Sequence, residues 1–294
     1  MSDAILVTGR TGQLAVALAE AAPAHGVTVR CVGRPVLEFD RPASIGEAID
    51  ACAPALVINA AAYTAVDAAE DDKDAAYRAN RDGPAELARL CAASRIPVIQ
   101  VSTDYVFNGR KGAPYVETDA TSPQGVYGTS KLAGERAVLA VCPRAIVVRT
   151  SWVYSPIGRN FVRTMLAAAE RNASLRVVAD QIGCPTSARD LAHAVLGIAA
   201  RLRDDRGDRH AGIYHAAGTG AATWHEFAEA IFAAAARHGR AVPRVERIST
   251  KEWPTKAVRP PDSRLDCSKL AATFELRLPA WQDSVRRTVD TILG

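Results

Sequence analysis

Short apolar runs and longer helix-like runs alternate through the first half of the chain, and this alternation limits the possible folds more than any other feature. The apolar runs have no polar face, which is typical of parallel strands that are buried on both sides. These runs are Ile5–Thr8, Val27–Val32, Leu56–Asn59, Val98–Ser102 and Ile146–Thr150. The helix-like segments between them are Gln13–Ala22, Ile45–Ala51, Asp74–Ala93 and Tyr127–Val141. The pattern predicts an α/β fold with a doubly wound parallel sheet.

The second half of the chain is less regular. Glycine and proline interrupt it at Pro156, Gly158, Gly183 and Pro185. Later helices are predicted at Ala188–Ala200 and Trp224–His238, and they flank a short strand at Ile213–His215. We therefore expect one domain over residues 1–150 and a smaller α/β substrate-binding lobe over residues 151–294. Segments of the second half are expected to return to the first domain.

Composition excludes several classes of function. The chain has 294 residues, of which 48% are hydrophobic, so it can bury a large core. Its net charge is only +4, with arginines scattered along the chain, which favours a small anionic ligand over a nucleic-acid groove. The six cysteines form neither a CxxC pair nor a Cys/His ligand pattern, so we predict free thiols and no metal site.

The N-terminus runs directly into a strand-like segment, and no apolar run approaches the ~20 residues of a membrane span. We therefore expect a cytoplasmic protein with neither a membrane nor a nucleic acid as partner.

A glycine-containing turn follows the first predicted strand and opens the first helix. Gly9, Gly12 and Ala15 have the spacing of a dinucleotide-binding turn, in which small residues permit a tight bend and close approach of a pyrophosphate. The helix N-terminus would offer N–H groups to the phosphates. We predict a Rossmann-type, NADP-binding domain that also uses Thr11 and Gln13. A plain strand-to-helix turn is the alternative.

The end of the second predicted strand bears on the choice of coenzyme. Arg34 lies where NAD-selective sites often carry an acid for the ribose 2′-hydroxyl, and a guanidinium there suits a 2′-phosphate. The sequence thus predicts a preference for NADPH, with NADH accepted less well. Asp40 is the nearby acid that would instead contact the adenine, and the alternative for Arg34 is a solvated surface arginine.

Small side chains follow the third strand and leave room for a coenzyme at the carboxyl edge of the sheet. The predicted coenzyme contacts there are Ala60, Ala61, Ala62, Tyr63 and Thr64. Val101, on the fourth strand, is added to this set. A tightly packed strand end is the alternative.

Tyr127 and Lys131 are four residues apart on a predicted helix, so their side chains share one face. A tyrosine with a pKa near ~10 is a poor acid or base at neutral pH, and a nearby ammonium group would lower that pKa. Thr103, at the end of the fourth strand, supplies a third polar group. Alone, the Tyr/Lys pair is compatible with chance, and a threonine is common in strands.

Together, the glycine turn, Thr103, Tyr127 and Lys131 resemble the extended short-chain dehydrogenase/reductase superfamily. Further segments resemble the dTDP-4-dehydrorhamnose reductase family within it, in the family's order and over essentially the whole chain. They are the segments 59–67, 102–107, 117–123, 126–135, 149–154, 180–186 and 259–266.

The resemblance implies that hydride from NADPH reduces the 4-keto group of dTDP-4-dehydro-L-rhamnose, in the last step of dTDP-L-rhamnose synthesis. Tyr127 would donate the proton, Lys131 would bind the nicotinamide ribose and lower the tyrosine pKa, and Thr103 would tune the tyrosine. The residues predicted to bind the substrate are Val66, Thr103, Asp104, Tyr105, Trp152, Asn160, Phe161, Arg259, Ser263 and Arg264. The alternative for Trp152 is a buried core residue. The alternative for the arginines on the loop at Pro260-Pro261 is that they are solvated.

Three further points remain open at this stage. A related nucleotide-sugar epimerase or dehydratase, or a non-catalytic NADP-binding regulatory subunit, would share parts of the pattern.

Some members of the resembled family pair through Mg²⁺ held by acids on the first helix, but residues 14–18 here carry none, although Asp190 is present. We expect a monomer or weak homodimer, with the role of Mg²⁺ unassigned.

Overall fold

The computed structural model describes residues 4–204 and 209–294, and its strands and helices alternate as the sequence predicts. The strands are β1 (Ala4–Thr8), β2 (Thr28–Val32), β3 (Leu56–Asn59), β4 (Val98–Thr103), β5 (Ile146–Thr150), β6 (Val153–Tyr154), β7 (Ser174–Val178), β8 (Ile182–Gly183), β9 (Thr186–Ser187), β10 (Gly212–His215), β11 (Ala222–Thr223) and β12 (Arg244–Ile248). The α-helices are α1 (Gln13–Ala21), α2 (Ala43–Cys52), α3 (Lys73–Tyr77), α4 (Gly83–Ala93), α5 (Val126–Val141), α6 (Phe161–Ala169), α7 (Ala188–Asp204), α8 (Trp224–Ala236), α9 (Ser268–Phe274) and α10 (Trp281–Leu293).

Six of these strands form one parallel sheet in the order β10-β5-β4-β3-β1-β2. The order reverses direction between β1 and β3, which is the topology of a doubly wound sheet. The predicted Rossmann-type fold class is confirmed. β10 comes from the second half of the chain and pairs with β5 at the edge of this sheet.

Successive residues of the strands point to opposite faces of the sheet, and helices cover both faces. Ile5 and Val7 pack with α1, α7 and α9, whereas Ala4 and Leu6 pack with α2, α4 and α5. All four side chains are at most 4% exposed, which explains why the strands read as continuous apolar runs.

The helical segment predicted at 74–93 is not one regular helix. A π-helical turn, Arg78–Asp82, separates α3 from α4. Such turns are rare and occur often at functional sites. The apolar pattern of the sequence does not reveal this interruption.

The remaining strands form three two-stranded sheets, which are β7 with β12, β8 with β11, and β6 with β9. They pack with α6, α8 and α10 around a second core that is rich in aromatic side chains. Phe227, on α8, lies at its centre with no exposed surface and contacts the rings of Tyr154, Phe161 and Trp281. The division of the chain into residues 1–150 and 151–294 stays a prediction.

No helix within residues 4–204 and 209–294 combines the length and the apolar character that crossing a membrane requires.

Truncation of Phe227 should destabilise this second core. We expect Phe227→Ala to lower the free energy of unfolding by about 3–5 kcal/mol, because the change leaves a cavity among packed rings. Trp253→Ala is the matched control, since Trp253 is 57% exposed, and it should change stability by no more than about 0.5 kcal/mol. Urea unfolding followed by circular dichroism measures both, and equal losses would contradict the assignment of Phe227 to the core.

Candidate active site

A cavity of about 1250 Å³ lies at the carboxyl edge of the central sheet. The ends of β1, β3, β4 and β5 open into it, as expected for ligand sites of open α/β sheets. Of the predicted residues, it is lined by Gly9, Thr11, Gly12, Gln13, Arg34, Asp40, Ala60, Ala61, Ala62, Tyr63, Thr64, Val66, Val101, Thr103, Asp104, Tyr105, Tyr127, Lys131 and Trp152. One cavity therefore joins the predicted coenzyme residues to the Thr/Tyr/Lys set.

The glycine turn forms one end of this cavity. Gly9 has a φ of +96°, a conformation that disfavours residues with a Cβ atom, and its N–H donates to the carbonyl of Val32 at 2.8 Å. Gly12 precedes α1, and a Cβ atom added there would meet no atom within 4 Å. Gly12 thus places no side chain between the N-terminus of α1 and the cavity, and a helix N-terminus is suited to binding a phosphate group.

Arg34 and Asp40 contact each other beside the glycine turn. The Arg34 Nη2 atom lies 2.7 Å from Asp40 Oδ2, and the Nε atom of Arg78 lies 3.0 Å from Asp40 Oδ1. Asp40 thereby holds two guanidinium groups at the cavity. Arg78 is a candidate that the sequence reasoning missed, because nothing local distinguishes it from other helix arginines.

The segment after β3 is held by a buried asparagine on the π-helical turn. Asn80 accepts a hydrogen bond from Tyr63 N at 2.9 Å and donates to Tyr63 O at 3.1 Å. Its amide also donates to Ser130 Oγ on α5 at 3.0 Å. Asn80 therefore fixes the predicted coenzyme-binding segment to the helix of Tyr127, and sequence reasoning missed it.

Thr103 and Tyr127 meet at the centre of the cavity. A hydrogen bond with Thr103 favours ionisation of Tyr127, but burial dominates and raises the tyrosine pKa well above its ordinary value. The pKa of Tyr127 is therefore not below its ordinary value in this structure, as the pairing with Lys131 alone would predict, because desolvation of the ring outweighs the favourable contacts. Tyr127 is thus held protonated at neutral pH.

Lys131 is 4% exposed and donates from Nζ to the carbonyl of Val101 at 2.6 Å. Burial lowers the pKa of Lys131 to about 8, and the negative charge of Glu135 opposes this shift. The ammonium group is therefore mostly charged at pH 7 and loses its proton as the pH rises through about 8.

Asp104 is 2% exposed and accepts a hydrogen bond from Thr103 Oγ1 at 3.1 Å. Burial raises the pKa of Asp104 to about 6, and hydrogen bonds from Ser263 and Thr103 partly offset that rise. Its Oδ2 atom has no hydrogen-bond partner among the described residues. Since buried polar atoms are normally paired, this oxygen is available to a ligand hydroxyl in the cavity.

Trp152 lines the cavity with a strained backbone, at φ +48°. Its ring stacks on Trp224, with centroids 3.5 Å apart and planes 5° apart. A Cβ atom at Gly183 would lie 2.5 Å from Trp152 Cε2, so that position accepts only glycine. Trp224 therefore covers one face of the indole that was expected to pack on a sugar, and it is a further residue that the sequence did not indicate.

Arg259 lies next to the cavity, in contact with residues that line or border it. Its Nη2 atom is 2.6 Å from Asp67 Oδ2, and its guanidinium lies 5.9 Å from the centroid of the Tyr105 ring. The Arg259 Nη1 atom is buried without a hydrogen-bond partner in the described part of the chain.

The other residues predicted for the nucleotide end lie elsewhere. Arg264 forms two hydrogen bonds with Asp262, at 2.9 and 2.6 Å, in a separate cavity of about 330 Å³. Asn160 caps α6 and donates to Gln13 Oε1 at 2.9 Å. Phe161 packs on Trp224, with ring centroids 4.7 Å apart.

Asp190, the acid considered for Mg²⁺, forms an ion pair with Arg287. Both of its carboxylate oxygens accept from Arg287 Nη2, at 3.0 and 2.9 Å, and Ser284 donates to one of them. In residues 4–204 and 209–294, no three His, Cys, Asp or Glu side chains are arranged to hold a metal ion.

Comparison with known proteins agrees with this geometry. A family model described as the RmlD substrate binding domain matches residues 3–293. A dTDP-4-dehydrorhamnose reductase of Sinorhizobium fredii is 46% identical over 291 residues, which cover 98% of this chain and 97% of that protein.

Solved structures agree as well. A dTDP-4-dehydrorhamnose reductase from Clostridium acetobutylicum is 34% identical, with a TM-score of 0.92 over 99% of this chain and 100% of that one. The Bacillus anthracis enzyme of the same name, in complex with NADP, is 32% identical with a TM-score of 0.90 over the same shares. The chain therefore belongs to the RmlD substrate binding domain family, together with these dTDP-4-dehydrorhamnose reductases.

Proposed function

We propose that this chain uses NADPH to reduce the 4-keto group of dTDP-4-dehydro-L-rhamnose, giving dTDP-L-rhamnose. The observation that carries the proposal is the convergence of Thr103, Tyr127 and Lys131 on one cavity with the glycine turn. The names of the full-length relatives support the choice of substrate.

The residues around the glycine turn fit NADPH. The open N-terminus of α1 suits the pyrophosphate, and the Arg34 guanidinium suits the 2′-phosphate. The relative from Bacillus anthracis was solved with NADP. The bound coenzyme supplies the hydride, while the chain orients the reactants and supplies the proton.

Tyr127 is the proposed proton donor. As the carbonyl oxygen gains negative charge, the phenol O–H bond breaks and a new O–H bond forms on the sugar oxygen. Burial raises the pKa of Tyr127, so the phenol is protonated before the reaction and has a proton to give to the developing alkoxide, although the same shift makes it a weaker acid. The Lys131 ammonium and the Thr103 hydroxyl then stabilise the phenolate that is left.

The substrate is held by residues around the remainder of the cavity. Asp104, whose Oδ2 has no partner among the described residues, is proposed to accept a hydrogen bond from a sugar hydroxyl. Trp152 is proposed to bound the sugar with the part of its indole that Trp224 does not cover. Arg259, through its unpaired Nη1, is proposed to bind the pyrophosphate of the sugar nucleotide.

The direct test supplies dTDP-4-dehydro-L-rhamnose and NADPH and follows both NADPH oxidation and the sugar product. The wild-type chain should consume one NADPH per sugar reduced, whereas Tyr127→Phe should lose at least about 100-fold in kcat because the proton donor is gone. Coenzyme affinity, measured by NADPH fluorescence, should stay near the wild-type value. An epimerase would convert the sugar without net oxidation of NADPH, and a regulatory subunit would bind NADPH without turnover.

Coenzyme preference should depend on Arg34. We expect Arg34→Ala to raise the KM for NADPH about tenfold, which corresponds to about 1.4 kcal/mol, and to leave the KM for NADH nearly unchanged. Arg30→Ala removes another exposed arginine, outside the cavity, and should alter neither constant. An equal rise of both KM values in Arg34→Ala would contradict a 2′-phosphate contact.

Removal of the Arg259 charge should act on substrate binding. Arg259→Gln is expected to raise the KM for the sugar nucleotide about tenfold or more, the effect of losing one charged hydrogen bond of about 1.5–3 kcal/mol, with kcat within about threefold. Arg176→Gln, at an exposed pair with Glu252, is the control. A fall in kcat with an unchanged KM would place Arg259 in the chemical step instead.

A further inference from the structure

A second buried charge lies on α5, one turn beyond Lys131. Glu135 is 1% exposed and binds Arg149 of β5 through two hydrogen bonds, Nε to Oε1 at 2.9 Å and Nη2 to Oε2 at 2.7 Å. Arg149 is 2% exposed and its guanidinium lies 5.1 Å from the centroid of the Phe107 ring. A fully buried, two-point ion pair thus lies beneath the candidate active site.

The same helix face is attached to two consecutive residues of β4. Lys131 Nζ donates to the carbonyl of Val101, and Ser102 Oγ donates to Glu135 Oε1 at 2.5 Å. Thr103 is the next residue of this strand. Two buried contacts therefore set the position of α5 along β4 directly before Thr103, and this position brings Tyr127 to the threonine.

We propose that Glu135 is a positioning residue for the reduction: it holds α5 in register with β4 and serves as the buried counter-charge that keeps Lys131 protonated. Glu135 does not line the cavity, so it acts through Lys131 and Arg149 rather than on a ligand. The inference rests on the proposed function, since it assigns a role within that reaction.

The charges around Lys131 can be compared one by one. Its own helix carries Tyr127 and Glu135, the end of β4 carries Asp104 and Tyr105, β5 carries Arg149, and β10 carries His215, whose pKa is lowered by burial and by Arg149. Among these groups, Glu135 is the one whose charge raises the pKa of Lys131 against the effect of burial.

Titration of these groups falls in separate pH ranges. The pKa of His215 is lowered to about 4, and that of Asp104 is raised to about 6. The pKa of Tyr105 is raised to about 12, and burial also raises that of Tyr127. Of Lys131, His215, Asp104, Tyr105 and Tyr127, only Lys131 changes charge near pH 8, so we expect loss of activity as the pH rises through 8 to report on its deprotonation.

Two variants separate the effect of Glu135 on the stability of the fold from the effect of its charge on Lys131. Removing one partner of a buried ion pair leaves the other charge unpaired, whereas replacing both by apolar residues of similar size is often neutral for stability. We expect Glu135→Gln to destabilise the fold and the double variant Glu135→Leu/Arg149→Met to regain most of the lost melting temperature. Both variants lack the negative charge of Glu135, but only the double variant also lacks the positive charge of Arg149.

The experiment measures kcat/KM against pH with dTDP-4-dehydro-L-rhamnose and NADPH. Wild type should lose activity above about pH 8, and Glu135→Gln should lose it about one pH unit lower, because an opposite charge nearby shifts a pKa by about 1–3 units. The double variant, which loses the positive charge of Arg149 as well, should have its midpoint between these two. Glu135→Asp keeps the charge and should keep the wild-type midpoint. Glu86→Gln, which removes a carboxylate from an exposed pair with Arg89, is the matched control and should also keep it.

Each outcome decides the inference. Equal midpoints for Glu135→Gln and Glu135→Asp would overturn it. If Glu135→Gln does not fold, a double variant with a midpoint above that of wild type would overturn it instead. If wild type oxidises no NADPH, the proposed function fails, and the pH dependence of NADPH binding, measured by fluorescence in the same variants, then tests the role of Glu135 separately.

Discussion

Burial of both faces of the central sheet is the interaction on which the rest of the molecule depends. Helices cover Ile5 and Val7 on one face and Leu6 on the other, so a polar side chain of a strand reaches a ligand only where the strand ends. Thr103 and Asp104 therefore meet the glycine turn at one edge, in the cavity proposed to bind the coenzyme and the sugar nucleotide. The apolar core thus determines where chemistry can occur.

Local patterns explain how much of this architecture can be predicted from the sequence. The bounds of β3 and β5 agree with the apolar runs, and the turn at Gly9 and the spacing of Tyr127 and Lys131 are visible because they are contiguous or nearly so. Arg78, Asn80 and Trp224 were missed because their roles depend on partners 17 to 72 residues away, such as Trp152 for Trp224 and Tyr63 for Asn80. Long-range packing of this kind leaves no periodic signal.

The pKa values of the site residues also cannot be predicted from residue spacing. Four residues of separation bring Tyr127 and Lys131 to one helix face, but spacing gives no measure of burial, and burial determines both pKa shifts. Desolvation makes the tyrosine a weaker acid and the lysine a stronger one. The protonated tyrosine is suitable as the donor in a reductase, whereas Lys131 supplies its positive charge only below its lowered pKa.

The π-helical turn between α3 and α4 restricts how this part of the chain can change in length. Because such a turn contains one residue more than a regular helical turn, deletion of a single residue there would restore an ordinary α-helix. The residues before the deletion would then rotate by about 100° relative to those after it. Arg78 beside Asp40 and Asn80 beside Tyr63 both lie within the turn, so the change would pull at least one of them from its partner. Restoring a regular helix would thus disrupt these contacts. The number of residues in the turn is therefore constrained by the contacts of Arg78 and Asn80.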